Sequence, residues 1–325
     1  MVFLCLVLDF LKLIKDNQCS FRSIDSPASC EFATQEDSQH NAQLGYKAVR
    51  EGKLRSIEKI NHIICVASGK GGVGKSTTAV NLALALSKLG RSVGILDADI
   101  YGPSLPLMMG VPEGTRPKIH DNKFMLPLKA HGIECNSMGF LVDQKTAMVW
   151  RAPMIISAFN QMLNDTAWSE LDYLIVDMPP GTGDIQLSLA QSVKVSGAVI
   201  VTTPQDVALL DARKGIEMFK KVDVPILGVV ENMSMHTCSN CGHEEAIFGS
   251  GGGDRLSAEY GVEVIGRLPL DLTIRETTDA GNPVVASNSD HVATKAYMEL
   301  AGRVEQQLLV VSSSNDGPTI SISDD

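Results

Sequence analysis

From Asn61 onward, short unbroken apolar runs recur along the chain at 62–67, 92–96, 173–176, 198–201 and 226–230, with 264–266 a weaker sixth. Runs of this length without polar alternation fit strands buried on both faces of a parallel sheet. Between them, residues 76–89, 185–195, 207–221 and 293–309 carry apolar side chains at helical spacing. Strand and helix alternate, which predicts an α/β fold with a doubly wound, mostly parallel sheet.

The flanks read differently. Residues 18–59 are rich in Ser, Gln, Asn, Asp and Glu, with too few large apolar groups to offset the entropy of ordering. Residues 1–59 therefore read as a leader or flexible linker, 60–310 as the folded domain, and 311–325 as a disordered acidic tail. The apolar opening, 1–14, is shorter than a membrane span and carries Asp9 and Lys12. It matches neither a secretory signal nor an Arg- and Ser-rich transit peptide, and stable membrane insertion is not expected.

Composition narrows the classes. A chain of 325 residues with a net charge of −10 is poorly suited to nucleic-acid binding, which depends on basic side chains neutralising phosphates. Seven cysteines without regular spacing fit a reducing compartment better than a disulfide framework.

Gly69, Lys70, Gly71, Gly72, Val73, Gly74, Lys75 and Ser76 match the phosphate-loop pattern, directly after a predicted strand and directly before a predicted helix. Glycines let successive backbone N–H groups turn toward phosphate, the helix N-terminus adds its positive end, Lys75 reaches the outer phosphates and Ser76 can ligate Mg²⁺. With Thr77 they form the expected nucleotide-binding set. Asp97 and Asp99 follow the second strand, where open parallel sheets bind ligands, although Asp there also caps turns and helices. Asp177 closes another strand in the position of a Walker B acid. The Pro179-Pro180-Gly181 that follows can act as a switch, and Asp184 reads as a helix cap. Asn232 ends a strand and has an amide able to pair with a purine edge or to form a turn.

A second constellation is Cys238-Ser239-Asn240-Cys241, flanked by His236 and His243. Two thiolates at this spacing can serve half a zinc site, a redox dithiol or half an iron–sulfur ligand set, and the residues leave these readings open. A two-fold dimer would bring two such pairs together. Cys65 and Cys135 read as core, while Cys5, Cys19 and Cys30 have no ligand-like spacing.

Taken together, residues 69–76, 97–104, 148–153, 177–184, 231–234 and the Cys238/Cys241 pair resemble the Mrp/ApbC-type iron–sulfur carrier ATPases, P-loop NTPases of the deviant Walker A (MinD/Mrp) type. The resemblance covers roughly 60–305 and is nearest to the mitochondrial nucleotide-binding-protein-like branch. It implies a homodimeric ATP hydrolase of slow turnover that carries a labile [4Fe–4S] cluster between Cys238 and Cys241 of two subunits, on an excursion at 233–250. The cluster would pass to apo iron–sulfur proteins, complex I subunits among them. Lys70 would act across the dimer as a catalytic group, Asp99 would orient the attacking water, and Ser76, Asp97 and Asp177 would serve magnesium. Asn232 would recognise adenine. The implied compartment is the mitochondrial matrix, with the cytoplasm as alternative. Ala152 stands where the family usually has glycine. A partition-type ATPase acting on membrane or DNA and a zinc-stabilised, nucleotide-sensing scaffold are the rival readings; the first would be expected to end in a basic amphipathic helix or to show a basic face, and the acidic tail speaks against it.

Overall fold

Apolar runs that need cover on both faces become the inner strands of a sheet. The computed structural model describes residues 56–120, 124–141 and 151–315. Its strands in chain order are β1 (Ile60–Ala67), β2 (Val93–Asp97), β3 (Ile119–His120), β4 (Phe124–Met125), β5 (Leu128–Ala130), β6 (Ile133–Ser137), β7 (Leu171–Asp177), β8 (Gly197–Thr202), β9 (Ile226–Glu231), β10 (His236–Thr237), β11 (Glu244–Glu245) and β12 (Val264–Arg267). The helices are α1 (Lys75–Lys88), α2 (Leu105–Met108), α3 (Ala152–Asn164), α4 (Asp184–Gln191), α5 (Asp206–Lys221), α6 (Gly252–Tyr260), α7 (Leu272–Asp279), α8 (Val284–Ser287) and α9 (Val292–Asn315).

Eight strands form one sheet in the order β12-β9-β8-β1-β7-β2-β6-β5. Every pairing in it is parallel except β5 with β6. Successive side chains of a strand point to opposite faces, and β1 divides accordingly. Ile64 and Val66 pack with α1 and α9 through Leu82, Leu86, Tyr297 and Leu300. Ile63, Cys65 and Ala67 pack with α3, α5 and α6 through Phe159, Ile216, Phe219 and Leu256. The sheet is thus covered on both faces, as its near-continuous hydrophobic runs require.

Several elements differ from the sequence reading. The edge hairpin β5–β6 turns on His131 and Gly132, with φ of +49° and +82°. Helices α3, α6 and α7 were not anticipated. The cap of α4 is Gly183, with Asp184 the first helical residue. The last helix continues past Leu309 to Asn315. Residues 1–55, 142–150 and 316–325, which carry the leader, most of the 148–153 motif and the acidic end, lie outside the described residues. Among the described residues no helix is long and apolar enough to cross a membrane.

Candidate functional site

The order of strands reverses at β1, with β7 on one side and β8 on the other. Ligands in such sheets collect outside the strand carboxyl ends at this point, and the loop from β1 to α1 leaves from there. Gly72 and Gly74 both have φ of +81°, a conformation that a Cβ makes costly. A Cβ at Gly74 would lie 2.2 Å from Asn232 Nδ2, and one at Gly69 would lie 2.1 Å from the Asp211 carbonyl oxygen of α5. Backbone conformation fixes Gly72, lack of space fixes Gly69, and both fix Gly74.

Lys75 opens α1 and is only 6% exposed. Its ammonium is paired with the Asp177 carboxylate at the end of β7 and donates to Ser76 Oγ at 3.1 Å. Burial pushes the Asp177 carboxyl up, while Lys75 and then Ser76 pull it back. Lys70 is half-buried, with its carbonyl accepting from Ser68 Oγ at 2.9 Å, and its ammonium has no ion pair or hydrogen bond among the described residues.

Asp97 is held by donors of the protein itself. Its Oδ2 accepts from the Ser104 and Leu105 backbone N–H groups, both at 3.2 Å, and from Ser137 Oγ at 3.0 Å. Among the described residues, Oδ1 accepts only from the Asp99 N–H, at 3.0 Å. Burial first, and then the Asp177 charge, push this carboxyl up to about 7. Asp97 therefore builds the turn that carries Asp99, and most of its acceptor capacity is spent on the protein. Asp99 is half-buried and accepts from the Gly102 N–H at 3.3 Å.

The Pro179–Gly183 stretch is held by a residue the sequence reading passed over. Gln186 Nε2 donates to the Pro180 carbonyl at 2.7 Å, and its Oε1 accepts from the Gly183 N–H at 3.0 Å. Its position three residues after the cap, where capping boxes place Gln or Glu, was the available signal. Gly181 N–H donates to the Ser68 carbonyl at 2.9 Å, tying this loop to the start of the phosphate loop. A cavity of about 90 Å³ lies between the two acidic turns, lined in part by Asp99, Tyr101, Pro180 and Gln186. Asn232 is 6% exposed, and its Nδ2 donates to the Val73 carbonyl at 2.8 Å. Its amide donor thus engages the phosphate loop itself.

The cysteine pair sits at the tip of the β10–β11 hairpin, where His236 pairs with Glu245 and Thr237 with Glu244. Cys238 N–H donates to the His243 carbonyl at 2.9 Å and Gly242 N–H to the Cys238 carbonyl at 2.8 Å, Gly242 taking φ of +72°. Both thiols are free, Cys238 half-buried and Cys241 exposed. Hydrogen bonds from the Cys241 and Asn240 backbone N–H groups, then from the Cys241 thiol, hold the Cys238 thiol below its ordinary range. This is a turn shaped to receive a thiolate, the form in which sulfur binds metals. Among the described residues no third His, Cys, Asp or Glu completes a metal site with the pair. Cys65 and Cys135 are core residues as expected, with burial pushing both thiols up to about 12.

Similarity to known proteins gives the family. An iron–sulfur cluster carrier protein of Pseudomonas fragi is 59% identical over 251 residues, covering 77% of this chain and 88% of its own. The mouse iron–sulfur cluster transfer protein NUBPL is 52% identical over 258 residues, 79% of this chain and 80% of its own. An Arabidopsis thaliana iron–sulfur protein required for NADH dehydrogenase, mitochondrial, is 50% identical over 268 residues, 82% of this chain and 85% of its own. Among solved structures, a nucleotide-binding protein of Archaeoglobus fulgidus in complex with ADP superposes with a TM-score of 0.62 at 36% identity, covering 77% of this chain and 92% of that one. Residues 59–305 match the model of the NUBPL iron-transfer P-loop NTPases, and the chain belongs to that family.

Proposed function

We propose that this chain is an ATP-dependent carrier of iron–sulfur clusters that works as a homodimer. It holds a labile [4Fe–4S] cluster between the Cys238/Cys241 pairs of two subunits and passes it to apo-proteins. The carrying observation is the pair of free thiols at a hairpin tip, one of them held toward the thiolate by backbone N–H groups. One chain offers two cysteines to a cluster that takes four, and a second copy supplies the rest. Exposed Tyr101, Val207, Leu210, Met235, Ile247 and Leu272, all in segments following strand carboxyl ends, give the second copy apolar surface to cover.

At the nucleotide site, Lys75 exchanges its contact with Asp177 for the outer phosphates, and Gly69 to Thr77 cradle them. Magnesium, when bound, neutralises phosphate charge. Ser76 and Asp177 are the hard oxygen donors it takes, and Asp97 Oδ1, with its single donor, suits a metal-bound water. Asp99 orients the attacking water, and Lys70, without a partner in its own described chain, adds positive charge from across the dimer. Asn232 retains its Oδ1 for a base edge. Turnover is slow, as suits a step that gates handover. The mitochondrial name of the plant relative supports a matrix location and complex I subunits among the recipients.

The test mixes the anaerobically loaded chain with an apo [4Fe–4S] protein and follows the recipient's activity. Recovery that depends on ATP supports the proposal. Equal recovery with an excess of free iron and sulfide alone contradicts it.

A further inference from the structure

The hairpin that carries the cysteines is rooted in the wall of the nucleotide site, and its root has no slack. Asn232 is anchored through its backbone, its N–H donating to the Thr202 carbonyl at 2.7 Å at the end of β8. Its side chain holds the Val73 carbonyl at 2.8 Å. Gly74 touches the same amide so closely that a Cβ there would lie 2.2 Å from Nδ2. A shift of Val73 or Gly74 toward a phosphate therefore pushes or releases Asn232 directly.

The next residue, Met233, has φ of +56°, a left-handed conformation that is costly for a non-glycine residue and persists only where neighbours impose it. After Met233 the chain is pinned to the segment following β12. Ser234 N–H and Oγ both donate to the Leu268 carbonyl, at 2.9 and 3.0 Å, and the Leu270 N–H donates to the Met235 carbonyl at 2.8 Å. His236 Nδ1 lies 3.0 Å from the Leu270 carbonyl. The returning arm is pinned to the same root, because the buried Glu231 carboxylate accepts from the Gly253 N–H at 2.5 Å. Residues 231 and 232 thus hold both ends of the excursion as well as the phosphate loop.

We propose that Asn232 and Met233 are the link by which nucleotide at the phosphate loop resets the Cys238–Cys241 hairpin, so that the grip on the carried cluster follows the nucleotide state. The inference rests on the carrier reading for its cargo but not for its motion. Nucleotide phosphate reorients the Val73–Gly74 backbone, the Asn232 bond to Val73 breaks, and the left-handed turn at Met233 relaxes. Asn232 is a positioning residue in this role, in addition to any contact with the base.

Hydrogen exchange on the full-length, metal-free protein, with and without magnesium and the non-hydrolysable analogue AMP-PNP, tests this without a cluster. In the wild type, saturating nucleotide is expected to protect amides 70–77 and to speed exchange at 236–245 several-fold. In Asn232→Ala, the hairpin is expected to exchange at the fast rate in both conditions, with amides 70–77 still responding. Met233→Gly keeps the Asn232 amide and removes the strain, together with a side chain whose Cε would lie 3.8 Å from a Cβ at Gly74, and at saturating nucleotide, with amides 70–77 still responding, it should cut the hairpin's response at least by half. The inference is overturned if the wild-type hairpin ignores nucleotide while amides 70–77 respond, or if Met233→Gly responds as the wild type does. Because the readout needs no iron, a chain that never took up a cluster would still decide it.

Discussion

At the phosphate loop, Lys75, Asp97 and Asp177 are each at most 6% exposed, and their charges answer one another inside the sheet's rim. At the hairpin, Cys241 is exposed and the flanking strands are two residues long each. The first region is pre-organised by burial, with Gly69, Gly74, Lys75, Asp97 and Asp177 each held against a fixed neighbour. The second is a spur with little packing of its own, held at its root. This difference suits the two tasks proposed above. Phosphate must be recognised in one geometry, whereas a cargo must be released, and release is easier from an exposed tip than from a core.

The comparison breaks most sharply at Lys75. Lys75→Ala leaves the buried Asp177 without its counter-ion, and loss of about 3–5 kcal/mol of stability is expected, together with loss of ATP binding. Lys70→Ala and Asp99→Asn should instead bind ATP normally and lower turnover by about 10²–10³-fold. Calorimetric titration beside phosphate release separates the cases. Loss of ATP binding in Lys70→Ala equal to that in Lys75→Ala would remove Lys70 from the transition state.

Gly69→Ala comes next. Its new Cβ would sit 2.1 Å from the Asp211 carbonyl oxygen, so α5 must shift, at a cost of about 1–3 kcal/mol seen in thermal unfolding. Gly71→Ala, with nothing within 4 Å of its added Cβ, should cost far less. Equal melting temperatures for the two would show that the loop is not packed as described.

The smallest perturbation is chemical. Thiolate is the reactive form, so a lowered pKa raises reactivity at neutral pH; the rate itself falls as pH drops through the lowered value, and the advantage over an ordinary thiol is lost as pH rises past the ordinary value. Cys238 should therefore be alkylated by iodoacetamide at pH 7 faster than an ordinary thiol, while Cys65 and Cys135, pushed up to about 12 and buried, stay silent in the native protein. Labelling of Cys135 at the rate of Cys238, read by peptide mass spectrometry, would contradict the contrast between core and spur.

What the sequence made legible follows the same divide between local and distant causes. Strands β1, β2, β7, β8 and β9 were readable because burial on both faces leaves an unbroken apolar run. The phosphate loop was readable because its chemistry is contiguous. Helix α3 had its signal in Ile155, Phe159, Met162 and Leu163, which share a buried face, but Pro153 beside them reads as a breaker unless it is placed in the first turn. The β5–β6 hairpin hid because its turn pairs Gly132 with a histidine, an uncommon partner at positive φ. The Asn232 contact with Val73 joins residues 159 positions apart, and no periodicity encodes it. Three of the donors to Asp97 come from the turn that follows it and the fourth from Ser137, forty positions away, so spacing alone did not tell capping from metal service.

The central claim, that nucleotide and cargo occupy separable sites on one chain, is tested most directly in Cys238→Ser and Cys241→Ser. Serine is nearly isosteric but a poor ligand for iron, and either change removes two of the four thiolates from a symmetric dimer. After anaerobic reconstitution, iron and zinc analysis with visible absorption should give about four irons per wild-type dimer and none in either variant, with ATP affinity unchanged in all three. Stoichiometric zinc with no reconstitutable iron in the wild type, or loss of ATP binding along with the thiols, would contradict the account.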